Sequence, residues 1–221
     1  MQAQDSPFPP AWWAFGLESA GVPARPETST YGRYDFEVLP PIPRELTGDL
    51  AWLAEQAVTE EWGIGATPVA ELPDLEAACD RLGLTLPVVF LDFLRMPSLQ
   101  SRIRSCTGCY ISVGPEPVRA PGADGHLIRF LADQQDCLYW YLYVTATDHA
   151  VVTSADYYGG PDEDHDGGDE IEFCGESFES FLYRFWLENE IWYSANEDEP
   201  MPAEAEEYIR RYRAAAAPLD H

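Results

Sequence analysis

The sequence predicts an α+β domain in which helices cover a largely antiparallel sheet, and three observations lead there. Residues 75–94, LEAACDRLGLTLPVVFLDFL, read as a helix, a Gly stop, a Leu-Pro restart and a second helix. Residues 129–144, RFLADQQDCLYWYLYV, read as two strands around a polar turn. Farther on, Ser177 precedes a run rich in aromatics at helical spacing. Strands joined by a short turn pair antiparallel, and helices gathered before and after them belong to the α+β class.

Taken in order, residues 1–45 are rich in Pro and Gly, with scattered aromatics at Trp12, Trp13, Phe15, Tyr31, Tyr34 and Phe36. They read as an irregular arm pinned by those rings. Residues 46–62 are expected to be helical, with Leu50, Leu53, Ala54, Ala57 and Val58 on one side and Gly63 and Gly65 ending the run. Leu75, Ala78, Cys79 and Leu82 then form an apolar face, while Asp74, Glu76, Asp80 and Arg81 are expected in water. Gly83 ends this helix because glycine accepts the left-handed conformation common just past a helix terminus. Pro87 suits the first turn of the next helix, which is expected to bury Phe90, Phe93 and Leu94.

The alternation of Ile128 and Phe130, then of Leu138, Trp140, Leu142 and Val144, has the period of half-buried strands, with 133–136 as the polar link. Ser177 is a helix cap, and Phe178, Phe181, Leu182 and Phe185 follow at i, i+3, i+4 and i+7 as a broad aromatic stripe. A last helix over 200–217 is acidic at its start (Glu204, Glu206, Glu207) and basic toward its end (Arg210, Arg211, Arg213), matching the helix dipole. No internal repeat is present.

This order and these residues resemble the SUKH superfamily. The resemblance rests on Leu75-Glu76 with Leu82-Gly83, on Leu86-Pro87 followed by Phe90 and Phe93-Leu94, on 133–140, and on Ser177-Phe178 through Leu182. It spans roughly residues 70–194, so the expected organisation is an N-terminal arm and helix (1–69), a SUKH-like core (70–194) and a C-terminal helix (195–221). Where such domains often carry a glycine-rich turn after the second helix, residues 97–109 contain only Gly108. The resemblance implies a non-catalytic protein-binding domain, most often an immunity protein that neutralises a polymorphic toxin, frequently a nuclease. It brings no catalytic residues, and no cofactor is expected.

Composition points the same way independently. The 221 residues are 46% apolar and 13% aromatic, enough for a substantial core. The net charge is −26, from 39 acidic against 13 basic residues, and every basic residue is Arg. Such a surface repels phosphate backbones and anionic membranes and attracts cationic partners, so no nucleic-acid or membrane partner is expected. Without lysine there is no P-loop lysine and no Schiff-base attachment point. No G-x-S-x-G, H-E-x-x-H or G-x-G-x-x-G occurs, and the four His stand far apart. The N-terminal sequence lacks the basic and apolar regions of a signal peptide, and five Cys suit reduced thiols, so a cytoplasmic location is expected.

Three constellations invite chemistry. Cys106-Thr-Gly-Cys109 has the spacing of a zinc half-site or a redox pair, but no second Cys or His pair at short spacing completes it. The bland reading is a turn with two reduced thiols. Residues 161–172, PDEDHDGGDEIE, open like an EF-hand loop at Asp162, Asp164 and Asp166, then lose the pattern, with Phe173 at the position of the bidentate Glu. A solvated acidic loop is the default there. Tyr139, Trp140, Tyr141, Tyr143, Tyr157 and Tyr158 read mainly as sheet residues, with those that alternate outward available as interface anchors.

The expected function is therefore stoichiometric occlusion of a basic protein surface. Asp133, Gln134, Asp136, Tyr157, Tyr158, Asp162, Asp164 and Asp166 are the expected partner-binding residues. A regulatory scaffold of the same fold with an endogenous partner is the alternative, and a metal-dependent hydrolase using the acidic loop is a third reading.

Overall fold

The computed structural model describes residues 1–14, 17–22, 31–159 and 171–216. It is an α+β fold built on one antiparallel sheet. Strands β1 (Ala11–Ala14) and β2 (Gly32–Asp35) form a separate antiparallel pair. Helices α1 (Ala51–Ala54), α2 (Leu72–Leu82), α3 (Val88–Arg95) and α4 (Pro97–Gln100) follow. The main sheet contains β3 (Tyr110–Ile111), β4 (Val118–Arg119), β5 (His126–Ala132), β6 (Tyr139–Val144), β7 (His149–Ser154) and β8 (Glu172–Gly175). Its order is β3-β5-β6-β7-β8, with β4 beside β3 on the same edge of β5. Helices α5 (Phe178–Asn196) and α6 (Ala203–Ala216) complete it.

The signals around Gly83 and Pro87 act as their chemistry requires. Gly83 sits at φ +67° and sends its N–H to the last carbonyls of α2, and Pro87 directly precedes α3. Phe90, Phe93 and Leu94 are buried, but Leu82, expected on the apolar face, is 50% exposed because α2 stops there and the chain turns away. The expected helix over 46–62 is corrected: only Ala51–Ala54 is helical. Gly48 (φ +81°), Leu50 (φ +56°) and Trp62 (φ +58°) are left-handed and break the helical path. The buried Glu179 carboxylate on α5 fixes the bend by accepting the N–H groups of Gly48 (2.6 Å) and Leu50 (3.1 Å).

Helix α5 is the axis of the core. Ser177 and Ser180 form a reciprocal capping box at its start. The predicted stripe is buried, and Phe178 packs against Phe90 (5.0 Å between ring centres), Phe93 (5.5 Å) and Phe130 (5.2 Å). On another side, Trp52 packs edge-on against Tyr183 and at a tilt against Trp186. A β-bulge between Arg129 and Leu131 puts both Phe130 and Leu131 into this inner core, while Arg129 stays on the other face.

The second sheet face is also covered, which corrects the half-buried reading of the strands. Tyr139, Tyr141 and Tyr143 point away from α5, yet all of β6 is buried. Phe8 of the arm packs edge-on against Tyr143 at 5.1 Å, and Phe36 packs against Phe173 at 5.3 Å. The tyrosine hydroxyls find carbonyls: Tyr141 donates to Asp156 O and Tyr143 to Asp124 O.

The arm also closes one sheet edge, where Phe173 N donates to Pro9 O at 2.9 Å and Pro10 bridges Phe173 in parallel. At the other edge Ile111 N donates to Ile64 O at 2.8 Å.

One buried carboxylate joins the two extensions to the core. Glu188 on α5 accepts from Trp12 Nε1 (2.9 Å) and from the Tyr208 hydroxyl of α6 (2.8 Å). Arg184, one turn earlier, donates to the same hydroxyl at 2.7 Å and to Pro40 O at 3.1 Å. Trp12, Leu17, Tyr34, Ala205 and Tyr208 belong to the same apolar cluster as the residues of 70–194.

Candidate functional site

Two surfaces have the ingredients of recognition. The first is the face expected from sequence, around the β5–β6 turn. Asp133 builds this turn and is buried. Its Oδ1 accepts from Gln135 N (2.9 Å), Cys137 N (3.1 Å) and Cys137 Sγ (3.3 Å), and the Tyr31 hydroxyl reaches Oδ2 at 3.5 Å. Gln134 and Asp136 are exposed on the turn, and Asp136 is left-handed at φ +54°. Gln134 lies over Gly108, where a Cβ would meet its side chain at 2.6 Å, so the Cys106–Cys109 turn and the β5–β6 turn form one surface.

Beside them the Tyr110 hydroxyl donates to Asp136 Oδ1 at 3.2 Å, and Tyr157 lies 4.4 Å from the Arg129 guanidinium and edge-on to Tyr139 at 5.5 Å. Tyr110 and Tyr157 are both 42% exposed. Partial burial, reinforced by Asp136, raises the Tyr110 hydroxyl above its usual pKa, so it remains a donor.

Of the eight expected partner-binding residues, the structure brings Gln134, Asp136 and Tyr157 to the surface. It turns Asp133 and Tyr158 inward, which corrects their reading as partner-facing: Asp133 is consumed by its turn, and Tyr158 packs on Tyr141 inside the second apolar cluster. Asp162, Asp164 and Asp166 lie outside the described residues. Tyr110 was missed, and its only signal was its place at the start of a strand next to the Cys pair.

The Cys106–Cys109 turn is lined by the Tyr31 hydroxyl, which approaches Thr107 Oγ1 (2.9 Å) and Cys109 Sγ (3.3 Å). Burial raises both thiols above their usual range, a setting opposite to that of reactive or metal-bound thiolates. Among the described residues no group of three or more His, Cys, Asp and Glu is gathered as a metal site. No helix among them is long and apolar enough to cross a membrane.

The second surface is a cleft of about 640 Å³ between segment 56–62 and the C-terminal half of α5 with the link that follows. The 56–64 segment is held along 101–105 by backbone bonds: Thr59 N to Ser101 O (2.8 Å), Ser105 N to Trp62 O (2.9 Å) and Ile64 N to Ile103 O (2.9 Å). Five glutamates and two arginines line it. Arg104 is committed to both Glu190 and Glu199 through four bonds of 2.6–2.9 Å and lies 3.9 Å from the Tyr193 ring centre. Those bonds hold the Glu199 carboxyl below its usual pKa range. Arg102 donates to the carbonyls of Ser98 and Gln56. Sequence reading missed this cleft because it placed segment 56–62 on a helix.

The same commitment recurs over the molecule. Arg33, Arg44, Arg95, Arg104, Arg119, Arg210 and Arg211 each pair with a carboxylate, and Arg184 is buried. The scarce cations are thus largely spent internally, and the exterior keeps the acidic excess.

No family model, no curated protein and no solved structure matches this chain.

Proposed function

We propose that the chain is a SUKH-like, non-catalytic binding module that acts stoichiometrically by covering a basic surface of a protein partner. In the immunity version the partner is a toxin, such as a nuclease, whose cationic cleft is occluded. The observation that carries the reading is electrostatic: a net charge of −26, with seven of the thirteen arginines already paired with the protein's own carboxylates. An exterior of that kind speeds encounter with a cationic surface and repels nucleic acid itself. Gln134, Asp136 and Tyr157, beside Tyr110, supply polar contacts and two half-exposed rings, the side chains that slow release once a partner is seated.

The test is retention of source-cell proteins on the immobilised full chain at two ionic strengths. The screening length falls from about 10 Å at 0.1 M to about 3 Å at 1 M salt. A basic protein held at low salt and released at high salt is expected. Asp136→Asn with Tyr157→Ala should then shorten the lifetime of the complex with that protein, once purified. Retention of acidic proteins only, or retention indifferent to salt, would sink the reading. Growth restored by co-expression with a toxic partner tests the immunity version.

A further inference from the structure

We propose that the cleft beside Trp62 is a receptor for a cationic side chain, arginine or lysine, carried on a loop of a protein partner. The inference rests on the cationic-partner reading but assigns a contact to a surface other than the β5–β6 turn face.

Three features of the cleft converge. Its outer wall is apolar and open, since Trp62 and Val58 are each 57% exposed, and Trp62 is the one tryptophan among those described that is not at least partly buried. Its rim is acidic, with Glu60, Glu61 and Glu197 exposed. Its two cations are already occupied, Arg104 by Glu190 and Glu199 and Arg102 by backbone carbonyls. An entering group therefore meets an aromatic face and an uncompensated negative rim.

That combination fits a long cationic side chain. Its methylene stem lies along Trp62 and Val58 while its charged head reaches the carboxylates, as amphipathic Lys and Arg chains do elsewhere. An arginine head over the indole gains a further cation–π attraction. An anion is repelled, and an apolar ligand would leave the rim carboxylates facing it without solvent. The backbone bonds from 59, 62 and 64 to 101–105 hold the wall in place before binding, so little ordering is lost on contact. Trp62 stands at the mouth of the cleft, where it also meets the surface around the inserted chain. That favours a loop over a small free cation.

The experiment titrates the full chain with hexa-arginine peptide at low salt, following affinity by calorimetry and the Trp62 indole N–H by NMR. Three variants are compared: Trp62→Ala, Glu60→Gln with Glu61→Gln, and Asp74→Asn with Asp80→Asn. The last pair makes the same change in charge on exposed positions of α2. The cleft variants should each weaken binding about fivefold or more, with the α2 pair within about twofold, because buried aromatic anchors dominate while distant charges act only through the screened field. Equal weakening by the two charge pairs, or an unmoved Trp62 signal, overturns the cleft assignment and leaves the cationic-partner reading standing. No binding of the peptide at any site overturns both. Spermine bound as tightly as the peptide, and lost with the same variants, overturns the assignment to a protein loop.

Discussion

Replacing Glu188 by alanine should loosen both ends of the chain from the core at once. The carboxylate is buried and accepts from Trp12 Nε1 at 2.9 Å and from the Tyr208 hydroxyl at 2.8 Å. Hydrogen bonds to a charged group contribute roughly 1.5–3 kcal/mol each, and the alanine leaves two buried donors without this acceptor. The expected loss is therefore about 3–6 kcal/mol, with about 4 kcal/mol as the central value. Unfolding entropy near 2.1 cal/mol/K per residue over 221 residues converts that into a fall in Tm of about 9 °C.

Tyr208→Phe removes one of the two donors and should cost about 2 kcal/mol alone, but less in the Glu188→Ala background. Urea unfolding followed by tryptophan fluorescence measures all four members of the cycle. A Glu188→Ala loss below about 1 kcal/mol, or strictly additive effects of the two substitutions, would refute the view that this carboxylate fastens arm and terminal helix to α5.

Further outcomes test other parts of the structure. Gly83→Ala should cost about 1 kcal/mol, because the left-handed backbone at φ +67° disfavours a Cβ although nothing lies within 4 Å of it; Gly83→Asn should cost less in the same unfolding assay. Gly108→Ala carries the same strain at φ +69° and also drives a Cβ against Gln134, so it should shift the NMR signals of the β5–β6 turn where Gly83→Ala leaves them in place. Alkylation at pH 8 should modify the exposed Cys137 first and reach buried Cys109 and Cys174 only on unfolding, as peptide mass analysis would show. Glu207 has its carboxyl lowered to about 2 by hydrogen bonds from Arg210 and then Arg211. A depressed carboxyl adds stability above its unfolded value, near 4.5, and loses it as pH falls toward 2; a carboxyl-carbon NMR midpoint near 4.5 would refute the pairing.

Elements defined by neighbours in sequence were legible. The α2–α3 pair is written in Gly83 and Pro87, α5 in Ser177 and its spaced phenylalanines, and α6 in its acidic-to-basic gradient. Elements decided by distant partners were not. Segment 46–62 has helical apolar spacing, but Glu179, more than 120 residues away, holds Gly48 and Leu50 in a bend. The tyrosines of β6 alternate as outward residues would, yet the arm folds back over them. The candidate site suffered most from this. Asp133 looks in sequence like one more acid of a polar turn, and only the turn's N–H groups reveal that its charge is directed inward. Trp62 became visible as a surface residue only after its segment was seen to lie along 101–105.

The closure of the sheet has a consequence for how recognition can change. Pro9 and Pro10 occupy positions on the outer side of β8, and Ile64 does the same for β3, so neither margin offers an open row of main-chain groups there to a foreign strand. Docking by strand addition draws its affinity from main-chain bonds that any sequence can make, and the same bonds drive unwanted self-association. Where the main sheet is covered in this way, beside Phe173 and Ile111, recognition falls to side chains. The side chains of Asp136, Tyr157 and Trp62 lie outside the buried clusters, so they can vary with little loss of core packing, within the bounds set by the left-handed backbone at Asp136 (φ +54°) and Trp62 (φ +58°) and by the contact of Tyr157 with Tyr139.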